Sequence, residues 1–439
     1  MTSEQSSLSD VESQENIRTP YILQRQNVEK PATWSISPLR DLLDLEYGQS
    51  LPEKERDDGP YPVFGSNGRS GWHSDYHIDA PGIIVGRKGV NLGIEWSDDD
   101  FNVIDTAYFV NSGSLETSDL DLRFLYYNLL DFDLDRLKSG SAVPGLNRND
   151  FYEESIVIPP ISEQKKIAKV LSNIDRKIEV NTRISGLLEE AAQTIFTQFF
   201  VDFGPYEEFK NSEVGQIPDA FRINRLEDVL SFQRGYSYSG DELIDDESDK
   251  DITEGYPMIN LGNISPGGGY RPEKIKYCDN VPNERYLVEP GDLVISHTDM
   301  TQDQDILGSP VIVPDLDKEP MLSSHHLYAI KDTELPKEYL YYYFLSPYFK
   351  PKAESFASGT TVLSFSSKIT SDVHIPVPPE EDLKRYVEMV RPMFERKEEI
   401  RKENAKLTDL RDTLLPKLMS GEIRVNDIEL DELEVDSEV

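Results

Sequence analysis

Residues 161–200 read ISEQKKIAKV LSNIDRKIEV NTRISGLLEE AAQTIFTQFF, and this stretch decides the fold. From Ile167 onward, apolar residues recur at alternating spacings of four and three positions over about five heptads. A repeat of that length is typical of a coiled-coil seam rather than of one face of a globular helix. The predicted seam of this helix consists of Ile167, Leu171, Ile174, Ile178, Leu188 and Ile195.

A second series with the same spacing runs from Tyr386 to Leu418. Its predicted seam consists of Val390, Met393, Ile400, Leu407 and Leu414. Polar residues interrupt both series, notably Asn181 in the first and Lys397 in the second, and we expect them to fix the register in which two helices pair. The alternative is that each helix packs on the globular part that precedes it. Pairing is favoured, since neither series has a third partner helix nearby in the sequence.

The segments that precede the two helices are related by an internal duplication, which is the sequence signature of a repeated structural unit. Near the helices, a shift of 219 positions aligns residues 139–143 (Ser-Gly-Ser-Ala-Val) with residues 358–362 (Ser-Gly-Thr-Thr-Val). Farther upstream, a shift of 187 aligns the segment Trp34–Asp41 with Phe221–Asp228. Because the shift grows from 187 to 219, the second copy carries roughly thirty extra residues in its loops. Two similar globular domains are therefore expected.

Short apolar or alternating runs in both copies predict strands, so the expected fold class is α+β, with two tandem, similar α/β domains that are each followed by a long helix. Strands are predicted at Gly82–Val85, Asn102–Val110, Asp292–Ile295 and Leu327–Ile330, and shorter helices at Leu122–Leu130 and Glu338–Leu345. The predicted boundaries are 1–32 for a disordered N-terminal segment, 33–160 for the first domain, 161–203 for the central helix, 204–220 for a linker, 221–379 for the second domain, 380–420 for the C-terminal helix and 421–439 for an acidic tail.

The chain is strongly acidic, with 82 Asp and Glu against 45 Lys and Arg in 439 residues and a formal net charge of −37. The acids recur along the chain, as in residues 98–100, 241–254 and 427–438, rather than in one tail. Acid spread over exposed loops keeps a surface hydrated in multimolar salt, where the Debye length falls to about 3 Å or less. Net charge then stops excluding nucleic acid as a partner. We expect a halophilic protein; the alternative is an acidic mesophilic protein with an acidic interaction tail.

Several kinds of chemistry are excluded by motifs that the sequence lacks. It has no Gly-x-Gly-x-x-Gly after a strand, no Gly-Lys-Ser/Thr phosphate loop and no Asp/Asn-Pro-Pro-Tyr/Phe motif of amino-group methyltransferases. Neither His73 with His77 nor His325 with His326 has further donors at metal-site spacing, and Cys278 has no base at motif spacing. We therefore predict no catalytic residue and no metal site. One cysteine, no secretory signal and no apolar run of roughly 20 residues fit a cytoplasmic protein.

Polar loops with glycine recur at matching places in both copies, and glycine lets a backbone approach a ligand closely. Arg and Asn side chains can bind base edges bidentately, while Ser and Thr suit phosphates. Each loop alone is more often an ordinary turn, but recurrence at matching places favours a shared DNA-binding face. The candidate DNA-binding residues are Ser66, Asn67, Arg69, Arg87, Lys88, Ser141, Asn147 and Arg148 in the first copy and Asn260, Asn263, His297, Thr298, His325, Thr360 and Lys368 in the second.

Four segments at the helices and their borders resemble the specificity subunit of type I restriction-modification enzymes. They are Ile158–Leu171, Ile195–Phe203, Val214–Pro218 and Leu414–Arg424, and with the two-copy plan the resemblance covers residues 33–425. One departure is that residues 379–385 (Pro-Glu-Glu-Asp-Leu-Lys-Arg) replace the Pro-x-x-Glu-Gln-Lys-Lys form of the first helix. This departure bears only on whether both helix borders dock partners equally.

The resemblance implies that residues 33–160 and 221–379 are target-recognition domains, each reading half of a bipartite, asymmetric site in double-stranded DNA. It implies that the long helices form an antiparallel coiled coil, which acts as a ruler and docks two methyltransferase (M) subunits. Motor-nuclease (restriction, R) subunits join for cleavage. This chain then catalyses nothing and binds no cofactor, while S-adenosylmethionine and ATP with Mg²⁺ are expected on the partner subunits. The alternative, a duplicated coiled-coil protein-interaction scaffold, predicts no sequence-dependent DNA binding.

Overall fold

The computed structural model describes residues 18–140, 144–244, 255–279, 283–301, 303–316, 319–360 and 362–425. The chain divides into two compact units. The first unit comprises Met1–Asn181 with Glu403–Val439, and the second comprises Thr182–Lys402. Each unit therefore contains one globular domain together with part of each long helix.

The first unit begins with a short helix and continues as a mixed α/β domain. Its helices are α1 (Tyr21–Gln26), α2 (Leu122–Leu130), α3 (Arg148–Glu153) and the first half of the central helix α4 (Ile161–Phe200). Its strands are β1 (Ser35–Pro38), β2 (Glu46–Tyr47), β3 (Tyr61–Gly65), β4 (Gly68–His73), β5 (Gly82–Gly86), β6 (Ile94–Ser97), β7 (Asn102–Val103), β8 (Ala107–Asn111), β9 (Lys138–Ser139), β10 (Gly145–Leu146) and β11 (Ser155–Ile158).

Two small sheets form the scaffold of the first domain. One sheet has the antiparallel order β2-β8-β5-β6, and the other has the order β4-β3-β7, in which β3 and β7 are parallel. Strand β1 pairs antiparallel with β11 and so brings both ends of the domain together. The predicted strand Asn102–Val110 is two strands, because the chain turns at residues 104–106 and passes from one sheet to the other. Strand β5 is buried along its whole length, which makes it the centre of the domain.

The second unit repeats this architecture with additional short strands. Its strands are β12 (Phe209–Ser212), β13 (Gly215–Pro218), β14 (Arg222–Arg225), β15 (Ser231–Arg234), β16 (Leu243–Ile244), β17 (Tyr256–Ile259), β18 (Lys276–Cys278), β19 (Leu287–Val288), β20 (Leu293–Ser296), β21 (Thr298–Asp299), β22 (Pro310–Ile312), β23 (Met321–Ser323), β24 (Leu327–Lys331), β25 (Leu363–Ser364) and β26 (His374–Val377). Its helices are α5 (Lys337–Leu345), α6 (Lys350–Phe356), α7 (Ile369–Asp372) and most of the C-terminal helix α8 (Glu380–Ser420).

The sheets of the second domain have the same plan as those of the first. The order β15-β24-β20-β22 matches β2-β8-β5-β6, and β14 pairs with β26 as β1 pairs with β11. The parallel pair also recurs, since Val63 lies opposite Asn102 in the first domain and Met258 lies opposite Leu322 in the second. The two copies inferred from the sequence therefore share strand order and strand pairing.

Within the first unit, the beginning of α4 runs antiparallel to the end of α8. Arg411 Nη1 lies 3.1 Å from Asp175 Oδ1, and six residues further along α4 the amide of Asn181 donates to Glu403 Oε2 and Asn404 Oδ1, both at 2.9 Å. Asn181 is fully buried. The polar residue that interrupts the predicted seam thus bonds to the opposing helix, and such a contact favours one register over others.

Within the second unit, the end of α4 runs antiparallel to the beginning of α8. Lys397 forms an ion pair with Glu189, and the ring of Phe196 lies 6.1 Å from the ring of Tyr386. All predicted seam residues of both helices are at least partly buried. The fully or nearly fully buried ones are Ile167, Leu171, Ile174, Val390 and Ile400, and the partly buried ones are Ile178, Leu188, Ile195, Met393, Leu407 and Leu414.

The departure at the second helix border has a structural counterpart. At the first border, Gln164 is fully buried and its amide donates to the carbonyl of Pro159 at 2.9 Å, while Glu163 accepts from Arg424 at 2.8 Å. At the second border, Leu383 occupies the position of Gln164 and is buried among apolar side chains. The hydrogen-bonded Gln164 of the first border therefore corresponds to the apolar Leu383 of the second, while Asp382, at the position of Glu163, still accepts a hydrogen bond of 2.9 Å from Tyr206.

Three boundary predictions differ from the structure. The predicted disorder of 1–32 is wrong for residues 18–32, since α1 packs Ile22 and Leu23 into the core; residues 1–17 lie outside the described residues. The predicted linker 204–220 is wrong, because β12 and β13 form a hairpin that buries Ile217. The predicted acidic tail begins later than residue 421, because Val425 is buried; residues 426–439 lie outside the described residues.

The helices themselves were predicted closely. The predicted central helix 161–203 ends three residues earlier, at Phe200, and the predicted C-terminal helix has the bounds Glu380–Ser420. Across the described ranges, none of the helices combines the length and the apolar composition that crossing a membrane requires.

Candidate nucleic-acid interface

A cluster that we call the first corner lies where the central strand β5 ends, and it consists of Tyr47, Arg87, Asp105 and Tyr108. Tyr47 and Tyr108 face each other across the β2–β8 pair. Arg87 follows the last residue of β5, and its backbone carbonyl accepts a hydrogen bond from Leu146 N at 2.9 Å. This bond places Arg87 beside the segment that contains the repeated Ser-Gly-Ser-Ala-Val motif, of which residues 141–143 lie outside the described residues.

The Arg87 side chain is held by aromatic rings and by one backbone oxygen. Its guanidinium carbon lies 4.9 Å from the ring centre of Tyr47 and 5.6 Å from that of Tyr108, which is cation–π distance. Its Nη1 donates to the carbonyl of Asp105 at 2.9 Å. Burial raises the pKa of Tyr108, and the nearby guanidinium opposes that shift. Because a guanidinium has five N–H donors, the side chain is held in place with donors left for a ligand.

The second corner occupies the matching place in the second domain and consists of Arg234, His297, His325 and Tyr328. Arg234 pairs with Tyr328 across β15 and β24, as Tyr47 does with Tyr108. His297 follows the last residue of β20, and its carbonyl accepts from Phe365 N at 3.1 Å. The two corners therefore correspond position by position.

The imidazole of His297 is buried in the second corner and stacked on Tyr328. His297 is only 4% exposed, its ring lies 4.1 Å from the ring of Tyr328, and its Nε2 donates to the carbonyl of His325 at 2.8 Å. Burial lowers the pKa of His297 to about 4. Burial also lowers the pKa of His326 to about 4 and that of His325, so these rings are neutral near pH 7.

Thr298 and Lys88 extend the two corners by one residue. Thr298 is buried and its hydroxyl forms a hydrogen bond of 2.9 Å with His326 Nδ1. Lys88 is exposed, and its ammonium lies 3.3 Å from Asp105 Oδ2. At these two positions the first corner thus has cationic side chains, whereas the second has a buried imidazole and a buried hydroxyl.

The hairpin β3–β4 contributes further predicted residues to the first corner. Lys88 N donates to Ser66 Oγ at 3.1 Å, so Ser66 links the hairpin to the end of β5. Asn67 is exposed at the tip of the hairpin. Arg69 is also exposed, with its guanidinium 4.7 Å from the ring centre of Trp72, which is itself 42% exposed. The structure therefore brings Ser66 and Lys88 together, and it leaves Asn67 and Arg69 exposed on the same hairpin as Ser66.

Two other predicted residues of the first domain have structural partners. The side chain of Asn147 accepts from Asn149 N at 3.0 Å and caps α3. Arg148 donates to Asp44 Oδ1 at 2.5 Å and to the carbonyl of Leu45 at 2.7 Å. These contacts fix the start of α3 against the loop that follows β1. Ser141, which was also predicted, lies outside the described residues.

In the second domain, two predicted asparagines form a buried cap. Asn260 N donates to Asn263 Oδ1 at 3.0 Å, and both side chains are at least nine-tenths buried. Thr360 and Lys368 are exposed. Among the described candidates, the exposed ones are thus Asn67, Arg69, Lys88, Thr360 and Lys368, and the partly buried ones are Ser66, Arg87, Asn147, Arg148 and His325.

Arg234 was missed as a candidate in the sequence analysis. Its side chain is exposed, and its Nε donates to the carbonyl of His325 at 3.1 Å. The signal that could have found it is the shift of 187 between the copies, which aligns Tyr47 with Arg234 and Gly48 with Gly235. The sequence alone could not place Arg234 beside His325, because the two residues are 91 positions apart and meet only across paired strands.

The chemistry of both corners is that of hydrogen bonding. Within the ranges that the structure describes, no group of three or more His, Cys, Asp and Glu residues is arranged to hold a metal ion. Cys278 is buried in the second domain. The corners offer guanidinium, ammonium, hydroxyl and imidazole groups on rigid strand ends, which suits recognition of a polar surface by hydrogen bonds.

Comparison with known families gives a match for the first domain and most of α4. Residues 31–190 match the family model described as the type I restriction modification DNA specificity domain. The matched range begins before β1 and ends within the central helix, so it includes the whole first corner.

Similar proteins are found among specificity subunits of archaea and bacteria. The MjaVIII specificity subunit of Methanocaldococcus jannaschii is 24% identical over 323 residues, which cover 70% of this chain and 72% of that protein. The EcoDI specificity subunit of Escherichia coli is 21% identical over 434 residues, which cover 90% of this chain and 89% of that protein. Both matches extend well beyond a single domain.

A solved structure shares the fold. The crystal structure of the type I restriction-modification S subunit from M. genitalium superposes with a TM-score of 0.56 at 19% sequence identity, covering 88% of this chain and 96% of that chain. The agreement supports the arrangement of strands and helices described above.

Proposed function

Because the chain belongs to the family of type I restriction-modification DNA specificity subunits, we propose that it recognises a bipartite, asymmetric DNA site for such an enzyme. Each domain reads one half of the site. The observation that carries this proposal is the pair of corners, which share backbone register but differ in side-chain chemistry. The chain acts as the recognition subunit, and catalysis belongs to other subunits.

The difference between the corners supports an asymmetric site. Identical domains would read the same short sequence twice, because base edges are distinguished by their pattern of donors and acceptors. The first corner offers the cations Arg87 and Lys88, whereas the second buries His297 and Thr298 at the matching positions. Different donor patterns at equivalent positions favour two half-sites that differ in sequence.

The partners follow from the proposed role. We propose that two methyltransferase (M) subunits and, for cleavage, restriction (R) subunits assemble with this chain. The support is that its relatives are named as specificity subunits of type I restriction enzymes. We propose no cofactor on this chain, with S-adenosylmethionine on the methyltransferase subunits and ATP with Mg²⁺ on the restriction subunits.

The acidic composition adds a proposal about the salt in which binding takes place. Six phosphate contacts would cost about five decades of affinity per tenfold rise in salt. If the protein works in molar salt, as its net charge of −37 predicts, specific binding depends chiefly on base contacts. Residues held rigidly near base edges then matter more than surface lysines.

The proposed function is tested by mapping adenine methylation in cells with and without this chain. We expect one bipartite methylated motif to be lost on deletion and restored by re-expression of the intact chain. Purified chain, assembled with its methyltransferase subunits, should retain DNA that carries this motif and release DNA in which either half is scrambled. An unchanged methylation pattern, with no sequence-dependent retention, would instead support the scaffold alternative.

A further inference from the structure

In each domain, the backbone carbonyl oxygen at one equivalent position accepts a hydrogen bond from an arginine side chain. In the first domain, the carbonyl of Asp105 accepts from Arg87 Nη1 at 2.9 Å, and in the second, the carbonyl of His325 accepts from Arg234 Nε at 3.1 Å. Asp105 and His325 are equivalent, because each stands two residues before a matching strand, β8 or β24. The preceding residues are equivalent too. Ile104 N donates to the carbonyl of Phe64 in β3 at 2.9 Å, and Ser324 N donates to the carbonyl of Ile259 in β17 at 3.0 Å.

The two arginines reach this oxygen from different strands. Arg87 follows the central strand β5, whereas Arg234 ends the neighbouring strand β15, at the position that Tyr47 occupies in the first domain. In the first domain the arginine follows the central strand and an aromatic ring ends its neighbour. In the second domain, the imidazole of His297 follows the central strand and the arginine ends its neighbour. Since independent positions supply the guanidinium, its presence at this oxygen is not a simple consequence of the duplication.

The surroundings keep these guanidinium groups available. In a chain with 82 acidic residues, a carboxylate partner would be the ordinary outcome for an arginine. Among the residues that the structure describes, neither Arg87 nor Arg234 forms an ion pair with a carboxylate, and the Asp105 carboxylate lies instead beside Lys88 at 3.3 Å. Arg234 is exposed and Arg87 is partly exposed. Each guanidinium therefore donates one hydrogen bond to the anchoring carbonyl and has donors left for a ligand.

We propose that Arg87 and Arg234 are the base-reading arginines of the two domains and that each selects a guanine in its own half-site. Arginine is the side chain that binds the O6 and N7 atoms of guanine bidentately. The anchoring carbonyl restricts the side chain before DNA arrives, which lowers the entropic cost of an ordered contact. This inference rests on the proposed function and adds which residue reads and which base it selects.

The test uses the full chain assembled with its methyltransferase subunits. The bipartite site is first mapped from the methylation pattern of the wild-type complex. Binding competition is then measured at working salt with duplexes that carry the mapped site and each of its single-base variants. The variants are Arg87→Gln, Arg87→Lys and Arg234→Gln, with Arg285→Gln as a matched control, since Arg285 is an exposed arginine of the second domain that stacks on its neighbour Tyr286.

We expect Arg87→Gln to lower discrimination at one G·C pair of one half-site about tenfold to a hundredfold and to leave the other half-site unchanged. Arg234→Gln should do the same in the other half-site only. Arg87→Lys should behave like Arg87→Gln, because an ammonium keeps the charge but not the bidentate geometry. Arg285→Gln should match the wild type.

Two results would overturn the inference. If Arg87→Gln and Arg234→Gln keep every base preference of the wild type, these arginines do not read bases. If they weaken binding equally for all duplexes, they contact phosphates instead. In both cases the wild-type complex would still methylate a bipartite motif, so the proposed function would survive. A wild-type complex with no such motif would remove the proposed function itself.

Discussion

At the first corner, Arg87 lies against Tyr47 and Tyr108, whereas at the second corner His297 stacks on Tyr328 and the guanidinium comes from Arg234. The strand register is the same in both, and Arg87 N and His297 N donate to the equivalent carbonyls of Thr106 and His326. The comparison teaches that the frame of a recognition domain and the chemistry it presents are separable. Substituting residues that support the shared backbone should therefore destabilise both domains to a similar extent. Substituting the side chains that each corner presents should change recognition by one domain only.

The largest effect is expected at Gly48 and Gly235, two glycines at equivalent positions of the shared backbone. An added Cβ would lie 2.2 Å from the carbonyl oxygen of Ile104 at Gly48 and 2.2 Å from that of Ser324 at Gly235, so the backbone would have to move. We expect Gly48→Ala and Gly235→Ala each to destabilise their own domain by about 3 kcal/mol. The control is Gly186→Ala on α4, where nothing lies within 4 Å and alanine should stabilise the helix by about 0.5–1 kcal/mol.

Thermal unfolding distinguishes the two domains, because all three tryptophans, Trp34, Trp72 and Trp96, lie in the first unit. Tryptophan fluorescence should report the loss in Gly48→Ala, and far-UV circular dichroism should report both variants. Equal melting temperatures for Gly48→Ala, Gly235→Ala and the wild type would show that the shared frame does not constrain the chain at these positions.

The second expected effect is a pH dependence that is larger in the second domain than in the first. Burial lowers the pKa of His297 from 6.5 to about 4 in the folded protein, so the unfolded chain binds the proton first as pH falls. The contribution of neutral His297 is complete above about pH 6.5 and is lost progressively down to about pH 4, amounting to about 3 kcal/mol. The lowered pKa values of His325 and His326 act in the same direction.

Urea unfolding at pH 7 and at pH 4.5 measures this effect. We expect the circular dichroism transition of the second domain to move to lower urea by more than the tryptophan transition of the first. His297→Phe, which keeps a ring against Tyr328, should reduce the difference between the two shifts. Identical shifts in the wild type and in His297→Phe would contradict the assignment.

A third, smaller effect is expected from the ring that supports Arg87. Tyr47 is 51% exposed and contacts the guanidinium, and an exposed cation–π contact contributes about 0.5–1 kcal/mol. Tyr47→Ala should therefore lower discrimination in the first half-site about two- to fivefold without changing the second. The control is Tyr256→Ala, which removes an exposed tyrosine from the second domain. A loss of discrimination in both half-sites would contradict the proposal that each corner reads only one half-site.

Much of the fold could be predicted because its signals are local. The heptad pattern fixed both long helices to within three residues, and short apolar runs located β5, β20 and β24. The missed features depend on contacts between distant residues. The run at 102–110 is divided between two sheets, and the short helix α1 is stabilised by packing of Ile22 and Leu23 rather than by its own pattern.

The candidate site was predicted less completely, because residue type alone does not separate ligand contacts from structural ones. Asn147 and Asn260 suit base edges, but asparagine also caps helices and turns, and here both do so. Arg87 was found because it lies in a polar, glycine-flanked loop at a place that recurs in both copies. Arg234 was missed, since its place in the corner depends on the register of β15 with β24.

The smallest effect is expected from removing the Asp105 carboxylate, and this substitution distinguishes the role of the side chain from that of the backbone carbonyl. The carboxylate and the Lys88 ammonium are 54% and 43% exposed, and such surface pairs contribute about 0.5 kcal/mol or less. Arg87 bonds instead to the carbonyl of Asp105, which any residue provides. Asp105→Asn should therefore leave both the unfolding free energy and the first half-site preference nearly unchanged.

Lys88→Ala serves as the partner control for the same pair, because it removes the ammonium and leaves the backbone of Asp105 intact. It should weaken binding slightly and equally for all duplexes, since an exposed ammonium next to the corner can contact phosphates without reading bases. If Asp105→Asn abolished the first half-site preference while Lys88→Ala did not, the carboxylate would hold Arg87. The equivalence with His325, which has no carboxylate, would then fail, because the two corners would share a shape without sharing the bond that anchors their arginines.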